Sequence, residues 1–544
     1  MSFYSEPVVG KNFFAREDIL ASLLKSAGDI SQGYRRNIAV IGRGLIGKSS
    51  LLLHFLNIIK DYDTTLPVYL NLKGVSFGEF VDNTIFMLLY HSLRKRRRLK
   101  KNHDLDYLIN TSKEVFPHSF DLINKVKHLL LDGDIDETYS ALLDLNVTIH
   151  SESGLCPVLV FDEFDKLSRF GIKKPFQVLG QKIMVQQNSL FILSSSSAVN
   201  GRKILAEKLS LLFGGFSVID IEPFTWAQAR TFIQRKCKNV SIPDELKDFL
   251  YAFTGGHPFY LASIAQRLNF ASKYSKTRVT SKNLSGLLAE LLFHPNGVIN
   301  QFFTHLIDGA RSSVSSKSVF DILQLVSKSS RLNEIIQKST ISSAELDPIL
   351  DSMLELGLIS KSGSVYAITD STFRAWVQTK SVSRNLCFDF IPQYLDADYS
   401  KEIEALIAVF RNENKRKLDE KIVDLVGLFK NDQFFIDERV RVLPSLSYSD
   451  RVKLGPHTTA LVMQGKKKWV VIICQKNIGE KEIFELLDSM NENGWAKERI
   501  IAVTPQSVDS AAKLSAKQKR IWLWDKKDLN KLFLFYKGYN AVMA

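Results

Sequence analysis

The chain has 544 residues and a formal charge of +14, with a pI of about 9.3. Domains of roughly 100–200 residues make three or four units the expectation and exclude a single core. Apolar residues at 45% and charged residues at 24% exclude a disordered or fibrous chain, and no apolar run nears the roughly 20 residues that span a bilayer, so no membrane partner is expected.

The basic excess raises nucleic acid as a partner, although nucleotide-binding domains also carry positive charge. The four cysteines, Cys156, Cys237, Cys387 and Cys474, are scattered without a CxxC pair. Neither a zinc site nor a disulfide framework is expected, and free thiols suit a reducing, cytoplasmic location. The N-terminus, MSFYSEPVVGKNFF, lacks a basic region followed by an apolar stretch, so no signal peptide is expected.

In chain order, Asn37–Ile41 reads as a short strand and Ser49–Ile59 as a buried helix. Pro67–Leu72 is a second strand, followed by a helix near Phe80–Leu93; Pro157–Phe161 and Leu190–Leu193 are further apolar, β-rich runs. Strands alternating with helices predict an α/β fold with a parallel sheet, leaving the loops at the strand C-termini free for a ligand. From Glu222 to Phe303 the pattern is helical, with Thr225 capping a helix from Trp226, a break at Gly255–Gly256 and a restart at Pro258. Between Ser316 and Lys380 three short helical patterns precede a hairpin, Leu358–Thr369, with its turn at Ser362–Gly363; that order predicts a winged helix. Ser381–Ser400 reads as a linker or connecting helix. From Lys401 a helix (Ile403–Phe410) leads into a second, smaller α/β unit with strands at Thr459–Met463, Trp469–Cys474, Ile500–Thr504 and Arg520–Leu523. The expected domains are therefore 1–221, 222–310, 311–380 and 401–544, with 381–400 between the last two.

The segment Gly42, Arg43, Gly44, Leu45, Ile46, Gly47, Lys48, Ser49 fits GxxxxGK[ST], and Ser50 continues into the helix. Glycines let backbone N–H groups turn inward around phosphates, and the helix N-terminus adds a favourable dipole. Lys48 supplies a point charge to the β and γ phosphates, and Ser49 offers a hydroxyl to Mg²⁺. A strand before the motif and a helix after it make a nucleoside triphosphate, with ATP as the leading candidate, the expected ligand. The strand Pro157–Phe161 ends in Asp162 and Glu163. Asp162 is the candidate Mg²⁺ residue, and Glu163 the candidate to orient or deprotonate the attacking water. Ser194–Ser197 follows the next strand. A serine there is placed to meet the γ phosphate or the water; which one is left open by the sequence, and Ser196 is nominated.

These elements together resemble the archaeal-type ATPases, a family within the STAND group of P-loop NTPases and relatives of AAA+ proteins. The resemblance spans Phe13 to Trp376. Phe13-Phe14-Ala15-Arg16-Glu17 is similar to the family's F-x-G-R-E motif, which implies that Phe14 and Arg16 lie near adenine; Ala15 stands where glycine is usual. Asp162-Glu163-Phe164-Asp165 looks like its DEF-D segment and Ser194–Ser197 its sensor segment. Gly255-Gly256-His257-Pro258 matches a G-H-P motif in a helical lid, so that His257 or Pro258 is implied to sense the nucleotide. Tyr366–Trp376 looks like the family's winged-helix terminus. The resemblance implies a nucleotide-dependent switch that closes a lid. Arg169 and Arg202 are candidate arginine fingers by position only, and oligomerisation on nucleotide binding is compatible with that class.

Two features bear on DNA. The helix Ser342–Leu356 carries Glu345, Asp347, Asp351 and Glu355 and no cation, which opposes its entry into a phosphate-lined groove. The run Arg94–Lys101 is cationic except for Leu99; it reads equally as a solvated helix end or as a site for nucleic acid or acidic lipids. In the same family a domain similar to PD-(D/E)XK endonucleases often follows the winged helix. On the strand Trp469–Cys474, Lys476 fits the lysine position, but Cys474, a poor magnesium ligand, takes the glutamate position. Glu420 or Asp424 supplies at most one carboxylate, so a degenerate endonuclease-like domain without cleavage is expected. It remains a second candidate surface for nucleic acid. The leading expectation is a slow ATPase switch acting on an unidentified macromolecular partner, protein or nucleic acid. The rivals are a DNA-processing ATPase with a working nuclease and a nucleotide-binding scaffold without turnover.

Overall fold

The apolar runs of the first half form strands because a covered sheet buries successive side chains on two opposite faces. They are β1 (Ile38–Ile41), β2 (Thr65–Asn71), β3 (Cys156–Asp162), β4 (Leu190–Ser195) and β5 (Ser217–Asp220), all parallel, in the order β2-β3-β4-β1-β5. Along β3, Val158 and Val160 join one apolar cluster with Ile38, Val40 and Phe55. Leu159 and Phe161 join the other with Leu66, Phe80 and Tyr139. The computed structural model describes residues 6–99, 104–209, 215–238, 240–271, 278–314, 318–328, 331–385, 392–436, 439–495 and 498–539, with side chains from 381 to 398 set aside. The chain divides into two compact units, Met1–Pro223 and Phe224–Ala544.

In the first unit the helices Lys48–Ile59 and Phe77–Lys95 lie where the sequence predicts them. Three more helices precede β3 that the sequence pattern does not announce, Leu105–Val115, Pro117–Leu131 and Ile135–Ser153. β5 is also unannounced, because its four residues alternate in exposure and show no continuous apolar run.

The second unit begins with five helices, of which the first, Trp226–Lys236, is closed by a capping box between Thr225 and Gln228. Gly255 ends the helix Asp244–Thr254, and Pro258 opens the helix Pro258–Ala271. Three further helices, Val319–Lys328, Leu332–Lys338 and Ser343–Glu355, precede the hairpin β6 (Ser360–Ser362) and β7 (Val365–Ala367). The helices Ser371–Asn385 and Pro392–Lys415 occupy much of the expected linker; residues 386–391, with Cys387, lie outside the described residues.

The C-terminal part adds two elements that the sequence pattern does not announce. One is the hairpin β8 (Asp432–Ile436) and β9 (Arg439–Leu443); the other is β10 (Ser447–Lys453). Then β11 (Thr458–Gln464), β12 (Trp469–Cys474), β13 (Arg499–Val503) and β14 (Trp522–Trp524) complete a sheet ordered β10-β11-β12-β13-β14. β10, β11 and β12 are antiparallel, whereas β12, β13 and β14 are parallel.

The β6–β7 hairpin is engaged within this unit. The Ser364 N–H donates to the Gln433 carbonyl at 2.9 Å. The Ser362 hydroxyl accepts from the Phe435 N–H at 3.0 Å. Arg331 grips the Asp432 carboxylate at 2.7 and 2.9 Å. At the hairpin tip Gly363 has φ +62, and a Cβ there would overlap the Gln433 carbonyl oxygen. Gly363→Ala should therefore cost about 2–4 kcal/mol, combining the left-handed backbone with overpacking. Gly309, inside a helix with open space around it, should gain up to about 1 kcal/mol as alanine. Urea midpoints compare the two; an unchanged midpoint for Gly363→Ala would show that the hairpin does not dock on β8.

Candidate functional site

The loop between β1 and the helix Lys48–Ile59 turns on Gly47, at φ +100, which points the chain into the helix N-terminus. Lys48 is buried, and its ammonium donates to the carbonyls of Gly42 at 2.8 Å and Arg43 at 2.9 Å. Burial lowers its pKa, opposed first by the charge of Glu163 and then by Asp162 and Asp165. A lysine held this way is a fixed cation facing a group of carboxylates.

The carboxylates come from the end of β3. Parallel pairing of β3 with β4 sets Asp162 beside Ser194. The Asp162 carboxylate, itself buried, accepts from Ser49 at 2.6 Å, from the Tyr69 hydroxyl at 2.6 Å and from Ser194. Burial and the Asp162 charge push the Tyr69 hydroxyl far above its ordinary pKa, so it stays a donor. Glu163 adopts a left-handed backbone, φ +59 and ψ +46, at a cost of about 1–3 kcal/mol for a non-glycine residue. Its carboxylate accepts from the Ser196 hydroxyl at 2.6 Å and the Ser196 N–H at 3.1 Å. Asp165 accepts from Ser195 at 2.8 Å and from Lys166 at 2.6 Å. Three consecutive serines thus each hold a different carboxylate, a division that no periodicity reveals. Strain at Glu163 is likewise invisible in sequence, since glutamate is not a residue that signals a left-handed turn.

The N-terminal motif packs beside this loop. Arg16 is N-cap of the helix Glu17–Asp29, and its guanidinium donates to the Ile46 carbonyl at 3.4 Å. Burial lowers its pKa to about 10, opposed by Glu222. Ala15 has φ +61, which accounts for glycine being usual there in the resembling family. Phe13, adjacent to Phe14, stacks on His54 at 4.3 Å. The Ser50 hydroxyl, read from sequence as part of the ligand loop, accepts from the Val8 N–H at 3.0 Å and so anchors the preceding strap.

Of the candidate fingers, Arg202 pairs with Asp220 of β5 and Arg169 is exposed. In the basic run, Lys95 donates to the Tyr62 carbonyl at 2.6 Å and Arg96 to carbonyls at the end of the helix Ile135–Ser153. Those hydrogen bonds tie these two side chains to backbone carbonyls of neighbouring segments. Arg94, Arg97 and Arg98 are exposed, and Lys100 and Lys101 lie outside the described residues.

His257 and Pro258 lie in the second unit. His257 is buried and stacks on Tyr260 at 4.4 Å; the Tyr260 hydroxyl donates to Asp370 at 2.8 Å. Thr372 donates to the Phe253 carbonyl at 2.8 Å, and Trp376 to Asn300 at 3.0 Å. Two segments singled out by sequence, 255–258 and 366–376, are thus joined in one core. The acidic residues Glu345, Asp347, Asp351 and Glu355 are all exposed on their helix.

In the C-terminal sheet β12 stops at Cys474, which is buried and whose thiol burial raises to about 11. Strand alternation therefore does not extend to Lys476, which is exposed. Glu420 and Asp424 are both engaged by Arg416, at 3.8 and 2.8 Å.

A parallel five-stranded sheet, a GxxxxGKS loop following β1 and strand-end carboxylates at hydrogen-bond distance from that loop define a P-loop NTPase. The family model described as "ATPase domain predominantly from Archaea" matches residues 13–264. Residues 13–264 therefore carry an ATPase domain of the archaeal-type family. No curated protein matches the chain. Among solved structures it is similar to the Walker-type ATPase of Pyrococcus abyssi, with TM-score 0.49 and 17% identity over 70% of this chain and 100% of that one. It is also similar to the Aeropyrum pernix ORC1 protein in complex with DNA, with TM-score 0.38 and 12% identity over 70% and 95%. A third is the Thermotoga maritima RuvB Holliday junction branch migration motor, with TM-score 0.35 and 12% identity over 72% and 100%. With scores and identities this low, the assignment rests on the family match and the loop geometry. Among the described residues, no helix is long and apolar enough to cross a membrane.

Proposed function

We propose that the chain is a STAND-like switch that binds and slowly hydrolyses Mg-ATP and passes its nucleotide state to a macromolecular partner. The observation that carries the reading is the 2.6 Å hydrogen bond from Ser49 to Asp162, which joins the phosphate loop to the end of β3 beside buried Lys48. Hard oxygen donors in that arrangement suit Mg²⁺, which would be held by Ser49 and Asp162 and would neutralise phosphate charge. Lys48 and the backbone N–H groups of Gly42–Ser49 would bind the phosphates. Phe14 and Arg16 would lie on the base side, Glu163 would accept the proton of the attacking water, and Ser196 would fix that carboxylate.

In this reading residues 222–310 form the lid that His257 and Pro258 couple to the nucleotide, and 311–380 form a winged helix. The docking of β6–β7 on β8 and the acidic exposed face of Ser343–Glu355 support a packing role for that module rather than base reading. Residues 401–544 are taken as an endonuclease-like domain without cleavage, because Cys474 occupies the acidic position and Glu420 and Asp424 are committed to Arg416. The buried, unpaired thiols Cys156, Cys237 and Cys474 suit a cytoplasmic setting.

Phosphate release from ATP by the full chain tests the reading. Turnover should be slow, below about 1 s⁻¹, and should stop when EDTA removes Mg²⁺. ATP binding without any phosphate release would instead make the chain a nucleotide-binding scaffold.

A further inference from the structure

Three parallel strands necessarily begin at the same end of a sheet, so residues just before them gather there. In the C-terminal sheet β12, β13 and β14 are parallel, with Trp469 paired to Arg499 and Ile501 to Trp522. Lys466, Lys467 and Lys468 form the turn that leads into β12, and Lys519 and Arg520 lead into β14. The Arg499 N–H donates to the Lys468 carbonyl at 3.5 Å, which fixes that turn against β13. Adjacent strands lie about 4.8 Å apart, so these cations form a row across the sheet end about 10 Å wide.

Five of the six are exposed, Lys468 being half-buried. Among the described residues none of the six forms an ion pair, and no carboxylate neutralises the row as Asp525 does Lys513, Asp424 does Arg416 and Asp419 does Arg451. Glu498 is the one carboxylate in sequence next to the row. Beneath it Trp469 and Trp522 pack edge to face at 4.8 Å, and the Arg441 guanidinium lies 4.6 Å over Trp522. The Lys519 ammonium lies 5.3 Å over the Phe484 ring; like charges gathered at one sheet end without a paired carboxylate repel one another, a cost that a polyanion removes.

We propose that this basic row binds the phosphate backbone of duplex nucleic acid. A duplex presents one negative charge per about 1.7 Å of axis, a density that a rigid row of cations matches and that few protein surfaces do. The row is built on turns and strand ends, and the exposed ring that touches it, Phe484 beside Lys519, is a single side chain rather than the apolar face that enters a lipid layer, which favours nucleic acid over a membrane surface. It also lies at the opposite end of β12 from Cys474 and Lys476, so the row would hold nucleic acid rather than present it for cleavage. The inference rests on the partner reading above but not on ATP turnover. Testing it without nucleotide keeps its failure separate from that of the ATPase reading.

The experiment is fluorescence anisotropy of a labelled random-sequence DNA duplex with the full chain, between ~50 and 200 mM salt. The variant Lys466→Gln/Lys467→Gln/Arg499→Gln/Arg520→Gln should bind at least about tenfold more weakly. Its log–log salt slope should be shallower by about 3 to 4, near 0.9 for each phosphate no longer neutralised. The smaller variant Lys466→Gln/Lys467→Gln, confined to a turn, should lose about 2 of that slope, and Lys466→Arg/Lys467→Arg should restore it. Arg94→Gln/Arg97→Gln/Arg98→Gln should leave the slope unchanged. The proposal is overturned if the parent chain fails to bind duplex at low salt, or if the turn variant keeps the parent slope. Loss of the slope in the Arg94 variant instead, or a preference of the same six cations for phosphatidylserine vesicles, overturns it as well.

Discussion

Changing Lys48 to alanine should abolish thermal stabilisation by ATP while leaving the ligand-free melting temperature close to that of the parent. The ammonium is the fixed cation of the loop, buried and held by the Gly42 and Arg43 carbonyls at 2.8 and 2.9 Å. Its counter-charges, Glu163, Asp162 and Asp165, belong to the same site. Without it the phosphates would meet carboxylates with no neutralising charge from this position. A ligand at about 100 times its Kd stabilises the fold by about 2.7 kcal/mol, so complete loss of that shift is easily read. An ATP-dependent shift of parental size in Lys48→Ala would place the nucleotide elsewhere.

The second large effect is expected at Glu163. Glu163→Gln keeps the shape of the side chain and an oxygen that accepts from Ser196, now bonded at 2.6 Å through its hydroxyl. It removes the proton acceptor. General-base contributions of about 10²–10⁴-fold set the expected fall in phosphate release, with ATP stabilisation retained. The left-handed backbone at Glu163 gives a reason to expect function, since such strain persists where the surroundings enforce it. Unchanged turnover in Glu163→Gln would remove Glu163 from the chemistry. If turnover and binding are lost together, its role is to build the site rather than to catalyse.

The phosphate loop, β1 to β4 and the carboxylates of Asp162 and Glu163 are legible in sequence because each depends on local chemistry. Glycine spacing, apolar runs and a polar strand end are all read within a few residues. What is not legible depends on register and on distant packing. Which serine meets which carboxylate is decided by the pairing of β3 with β4, and Ser196 is the one that reaches Glu163. Ser50 reads as part of the ligand loop, and its hydroxyl also accepts from the Val8 N–H, 42 residues away in sequence, a contact that no local pattern announces. β5, β8, β9 and β10 are hard to see because edge strands and two-stranded hairpins carry mixed, half-exposed sequences such as Arg439–Leu443. The docking of Gly363 on β8 joins segments far apart in the chain, which no local pattern reports.

A switch requires that the nucleotide held by Gly42–Ser49 change the state of the rest of the chain. Amide hydrogen exchange on the full chain, with Glu163→Gln to retain ATP and the parent protein loaded with ADP, tests this most directly. Protection should differ between the two states within Gly255–Ala271, the segment that carries His257 and Pro258. Differences confined to residues before Pro223 would contradict the switch and leave a nucleotide-binding domain without one.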